Sequence, residues 1–138
     1  MEALDNLVKI QSLKAEPADA AEFNGMLRAG NAKLSDCQIA GLSEDSQFSL
    51  AYSAAHAYAL AALRWHGYRS DKRYIVFQCL QHTLGLSSVE WRVLDQCHKA
   101  RNLAEYEGHL EVNPQLLKEL ILITKHIQTS VKALAPIN

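Results

Sequence analysis

One long segment, Phe48 to Trp65, is apolar around nearly its whole circumference when it is drawn as a helix. Alanine, leucine and tyrosine dominate it, and neither glycine nor proline interrupts it, so a helix is favoured. A helix that is apolar on all sides must be covered by other helices or lie in a membrane. The run is shorter than the ~20 residues that a bilayer needs, and His56 and Arg64 are poorly suited to hydrocarbon. The segment therefore predicts the buried central helix of an all-α bundle, with no membrane association.

Further helices are predicted on both sides of this segment from periodicity and capping signals. They begin at Glu16-Pro17, at the cap residue Ser43, near Ile75, at the capping box Ser87–Glu90 and at Asn113-Pro114. Glycines 41, 67, 85 and 108 mark predicted ends, and residues 2 to about 13 form a short amphipathic arm. Because the connections are short, we expect an antiparallel helical bundle of about five helices with a short N-terminal helical arm.

Length and composition favour one small domain. The chain has 138 residues and a formal net charge of -1, which calls for no polyanionic partner on overall balance. Its three cysteines are scattered in the sequence, and its first residues lack the features of a signal peptide. We expect a single domain over residues 1–138 with its core at about 43–135, a cytoplasmic location and reduced thiols.

The most basic window lies between Arg64 and Arg73. Basic residues interleaved with aromatic ones suit phosphate pairing and base stacking, although a solvated loop between helices has the same composition. The candidate nucleotide- or nucleic-acid-binding residues of this window are Arg64, Arg69, Lys72 and Arg73.

A second candidate is Arg101, which falls on an otherwise apolar stripe of the helix after Ser87. A buried guanidinium needs a carboxylate, carbonyl oxygens or a ligand phosphate. His56 interrupts the central helix in a comparable way, either as a hydrogen-bonded core histidine or as part of a cleft. If these two helices pack together, Ser53, His56, Arg101, Asn102 and Tyr106 would line one polar groove.

Two stretches together resemble the HEPN family of small helical domains. The first is Tyr52 to Leu63, which is similar to the family's alanine-rich core helix, and the second is Lys99 to Gly108, which is similar to its late-helix arginine motif. The resemblance spans roughly residues 43 to 134. It implies a helical bundle of the prokaryotic, nucleotidyltransferase-associated type, a homodimer, and a nucleotidyltransferase-type partner protein. It also implies RNA, DNA or a nucleotide as ligand.

In nuclease members of this family, an arginine, a polar residue and a later histidine cleave RNA without metal. Arg101 and Asn102 match the first two positions, whereas Tyr106 stands where the histidine is expected. Because tyrosine is a poor general base at neutral pH, the sequence favours a binding module over an enzyme. A toxin-type ribonuclease using Arg101 with Tyr106, His98 or His109 is the alternative, as is a helical dimerisation module. Arg92 and His98 also fit a looser form of the motif.

No cofactor motif is present in the sequence, and a metal site is not favoured. Cys79, His82, Cys97 and His98 have zinc-type side chains, but adjacent residues on a helix diverge by about 100°, which keeps Cys97 and His98 from facing one ion. We therefore expect core cysteines and surface histidines.

Overall fold

The computed structural model describes residues 1–108 and 112–137, and it confirms the all-α helical bundle. The helices are α1 (Glu2–Lys9), α2 (Ala20–Asp36), α3 (Glu44–Trp65), α4 (Arg73–Gln78), α5 (Leu80–Thr83), α6 (Ser88–Glu107) and α7 (Pro114–Lys132). Two short strands, β1 (Lys14–Ala15) and β2 (Tyr68–Arg69), form an antiparallel pair.

The central position of α3 is confirmed. It packs mainly against α2 and α7, and also contacts α4, α5 and β2. Its small alanine side chains allow these neighbours to approach closely, and eleven of its 22 residues are buried. Gly30 of α2 lies against the Tyr58 ring of α3, where a side chain at position 30 would collide with the ring. The sequence pattern of α3 therefore determines the centre of the bundle.

Local signals set most of the helix ends. The Ser43 hydroxyl accepts a hydrogen bond from the Ser46 amide at the start of α3, and Ser87 and Glu90 form the predicted capping box of α6. Asn113 caps α7, and Pro114 occupies its first turn. Gly108 ends α6 in the left-handed conformation that glycine tolerates best.

The N-terminal region differs from the prediction. The arm helix ends at Lys9, and α2 begins at Ala20 with Asp19 as its cap, so Pro17 does not lie in a first helical turn. Pro17 restricts the residue before it to extended conformations, and the Glu16 amide bonds the Gly67 carbonyl. This backbone is used for pairing with β2, which the helical periodicity could not show.

Two other predicted helices are shorter or divided. The helix before Gly41 ends at Asp36 and not near Ala40, and the segment from Ile75 to Leu84 is interrupted at Cys79 between α4 and α5. Cys37 and Cys79, which directly follow α2 and α4, are buried in the core.

Candidate functional site

A buried tyrosine lies at the centre of the candidate site. Tyr52 projects from the middle of α3, and its side chain is 1% exposed. The guanidinium carbon of Arg101 in α6 lies 4.9 Å from the centre of the Tyr52 ring, and that of Arg73 in α4 lies 5.5 Å from it. Cations over an aromatic ring are attracted by its negative face. Three helices thus place two positive charges at one ring.

A short hydrogen-bond chain connects the same ring to α6. The Tyr52 hydroxyl lies 3.0 Å from Nδ1 of His98, and the Asn102 side-chain amide lies 3.1 Å from Nε2 of the same histidine. His98 and Asn102 are four residues apart and therefore share one face of α6. With the Asn102 NH₂ group as donor, Nε2 accepts, and the neutral imidazole carries its proton on Nδ1.

The pKa of His56, one helical turn after Tyr52, is sensitive to the charges around the site. His56 contacts Phe77 edge to face, with ring centres 5.9 Å apart. Burial, the largest cause, and the positive charges of Arg73, Lys33 and Arg101 together lower the pKa of His56 to about 4. Among residues 1–108 and 112–137, the charged groups that shift this pKa are all cations. Burial also lowers the pKa of His98, with Arg73 and Arg101 contributing and the Asp95 carboxylate opposing.

Arg73 and Arg101 differ from the cations of the protein that are paired with carboxylates. Within residues 1–108 and 112–137, neither Arg73 nor Arg101 has a carboxylate oxygen within 4.0 Å. Both side chains are half-buried rather than fully solvated. No carboxylate of the described residues neutralises their charge, which is therefore available to the Tyr52 ring and to an anion at the surface.

Two arginines of the basic window have a structural role instead. The Arg64 guanidinium is 2% exposed, lies 2.8 Å from a Glu22 carboxylate oxygen, and donates to the carbonyl oxygens of Glu16 and Pro17. Arg69 also contacts the carboxylates of both glutamates. Because these groups already pair with both guanidiniums, the assignment of Arg64 and Arg69 as phosphate contacts is corrected to an ion-pair network in which Arg64 is buried and Arg69 partly exposed.

The remaining candidates of that window and of the family motif lie elsewhere. Lys72 is exposed at the start of α4 and lines a groove with Lys14 and Ser70, next to Arg69. Tyr106 is 92% exposed near the end of α6 and shares no hydrogen bond or ring contact with the other described residues. His109 lies outside the described residues. Arg92 is exposed, so His98 joins the site without it.

Of the residues of the predicted groove, the structure places His56, Arg101 and Asn102 around Tyr52, whereas Tyr106 shares no hydrogen bond or ring contact with them. It also adds residues that the sequence did not place there. Tyr52, Lys33 and Phe77 had no signal of their own, although Tyr52 lies four residues before His56 on the same helix. His98 was one of three alternatives to the missing motif histidine, beside Tyr106 and His109, and its contact with Tyr52 was not predicted.

The cysteines do not contribute to this site. All three are buried, and burial raises the pKa of the Cys79 thiol to about 11 and that of Cys97 to about 12. In the described part of the chain, no three His, Cys, Asp or Glu side chains are grouped closely enough to hold a metal ion. Among the helices of that part, none has the length and hydropathy needed to cross a membrane.

Comparison with protein-family models, with curated proteins and with solved structures finds no match to this chain. The resemblance to the HEPN family stays a prediction, and so do the homodimer and the nucleotidyltransferase-type partner. Functional inference therefore depends on the geometry around Tyr52.

Proposed function

We propose that this protein is a binding module for the phosphate groups of nucleotides or nucleic acids, and that the partly exposed arginines beside Tyr52, Arg73 and Arg101, form the binding site. The observation that carries the proposal is the convergence of Arg73 and Arg101, from two different helices, on one buried aromatic ring. Guanidinium groups are suited to phosphate because they donate two parallel hydrogen bonds to its oxygens.

The charges around His56 support the same proposal. Lys33, Arg73 and Arg101 all disfavour protonation of this imidazole, which indicates a positive potential at His56. A bound phosphate would neutralise part of that potential. Binding is therefore expected to raise the pKa of His56 and of His98.

The test is titration of a fluorescently labelled single-stranded oligonucleotide and, separately, of a mononucleotide. Arg101→Gln and Arg73→Gln should each weaken oligonucleotide binding about tenfold and reduce its salt dependence by about one phosphate contact. Arg28→Gln removes an exposed arginine of α2 and serves as the control for net charge. Unchanged affinity in the Arg73→Gln/Arg101→Gln double variant would refute the proposal.

A second candidate function is metal-independent RNA cleavage, which the position of His98 favours. Its neutral imidazole, held between Tyr52 and Asn102, lies in the same cluster as two arginines. In such a reaction, the Asn102 amide would first release Nε2 of His98, which would accept the proton of a ribose 2′-hydroxyl while the 2′-oxygen attacks the adjacent phosphorus. The 5′-oxygen would leave and take up a proton from water. The arginines would stabilise the charge on the phosphate oxygens.

RNA integrity separates the two functions. Wild-type protein incubated with total RNA should cleave it under the second proposal, and His98→Gln and Arg101→Ala should both abolish cleavage. His126→Gln is the matched control, because His126 pairs with Glu90 between α6 and α7 and lies outside the cluster. RNA that stays intact with wild-type protein would leave the binding module alone.

A further inference from the structure

A partly exposed aromatic ring lies beside His98, which is part of the same cluster as the two arginines. Tyr74 directly follows Arg73 in α4, and its side chain is 47% exposed. The three residues that follow it, Ile75 to Phe77, are buried, so α4 presents its apolar face to the core and keeps Tyr74 at the surface. An exposed tyrosine at this position contributes little to the core.

The Tyr74 ring is nevertheless supported from one side. Its centre lies 6.4 Å from that of His98, with 44° between the ring planes, and His98 is itself hydrogen-bonded to Tyr52 and Asn102. A ring held by packing loses less conformational entropy when a ligand binds to it than a freely rotating one does. A planar group can therefore stack on the Tyr74 ring at a smaller entropic cost.

We infer that Tyr74 is a stacking platform for a nucleobase, so that the site binds single-stranded nucleic acid in preference to other phosphate-containing anions. The inference rests on the proposed function, because Arg73 and Arg101 would hold the phosphate beside the stacked base. Aromatic side chains stack on all four bases, whereas the bases of a duplex are already stacked on one another. The site is expected to discriminate strongly between single and double strands, and weakly between sequences.

The test compares two single-stranded oligonucleotides of equal length and charge, one with normal bases and one fully abasic. Wild-type protein should bind the strand with bases about 5- to 100-fold more tightly, which is the range that stacking of one base provides. Tyr74→Leu should lose most of this preference while keeping its affinity for the abasic strand. Tyr74→Trp should retain the preference.

Tyr106→Leu is the matched control. Tyr106 is the more exposed tyrosine, it is flanked by Glu105 and Glu107, and it should not affect the preference. Equal binding of the two strands by wild-type protein, or a preference that survives in Tyr74→Leu, would overturn the inference. Loss of abasic-strand binding in Arg73→Gln/Arg101→Gln tests the proposed function separately, because an abasic strand offers phosphates but no base to stack. Thermal unfolding of each variant verifies that it is folded.

Discussion

Two glycines of α2 offer a direct test of how closely α2 and α3 pack. A Cβ atom added at Gly30 would lie 2.7 Å from Cε1 of Tyr58 and 2.9 Å from two further ring atoms. A Cβ atom added at Gly25 would meet nothing nearer than the end of the Arg28 side chain, at 3.8 Å. Gly30→Ala and Gly25→Ala therefore make the same chemical change in one helix, in contrasting surroundings.

The Tyr58 ring cannot move aside without loss. It is fully buried, its hydroxyl donates to the Asn31 side chain, and the Gln128 amide donates to both of these groups. An added methyl group must push α2 away from α3 or break these hydrogen bonds. Overpacking of this kind costs about 1–3 kcal/mol, and a lost hydrogen bond costs a further ~1 kcal/mol.

Both substitutions also gain about 1 kcal/mol because alanine is the better helix former. Gly25→Ala should therefore stabilise the protein by up to ~1 kcal/mol, whereas Gly30→Ala should destabilise it by about 1–3 kcal/mol. Urea unfolding followed by circular dichroism should place the two midpoints about 1 M apart or more, given a slope of about 2 kcal/mol per molar urea. The reasoning fails if Gly30→Ala is as stable as Gly25→Ala. In that case α2 and α3 are not in close contact at Tyr58.

Three further predictions concern buried polar groups. Arg64→Met should lower the free energy of unfolding by about 2–4 kcal/mol because it removes a buried partner of two glutamates and leaves the carbonyl oxygens of Glu16 and Pro17 without this donor. Arg69→Met, at a side chain that is 36% exposed, should have a smaller effect in the same denaturation assay. The pKa of His56 is about 4 in the folded protein, against an ordinary value of 6.5 that applies to the unfolded chain. The contribution of His56 to the free energy of unfolding should therefore be fully present above pH 6.5 and be lost, by up to about 3 kcal/mol, as the pH decreases to 4. In His56→Gln, urea titrations at pH 7 and pH 4.5 should show a smaller difference, and an unchanged difference would contradict this assignment. Tyr58→Phe should cost about 1–2 kcal/mol because Asn31 and Gln128 lose their shared partner, and a variant as stable as wild type would show that the hydroxyl contributes nothing.

The sequence alone determined the fold class and most helix ends, because these depend on interactions over a few residues. Ser43 needs only the amide of Ser46 to begin α3, and Ser87 and Glu90 complete a capping box within four residues. The apolar circumference of Phe48 to Trp65 likewise requires burial, whatever covers it. None of these features depends on contacts between residues that are far apart in the sequence.

Long-range pairing was decided only by the tertiary structure. Arg64 was a surface candidate in the sequence, but it lies in the core because Glu22, 42 residues away, accepts its hydrogen bond. The candidate site depends on the contact between Tyr52 and His98, 46 residues apart, and on the approach of Arg73 from a third helix. A charge pattern shows that a guanidinium needs a partner, but only the packing of the helices determines whether that partner is a glutamate, an aromatic ring or a ligand.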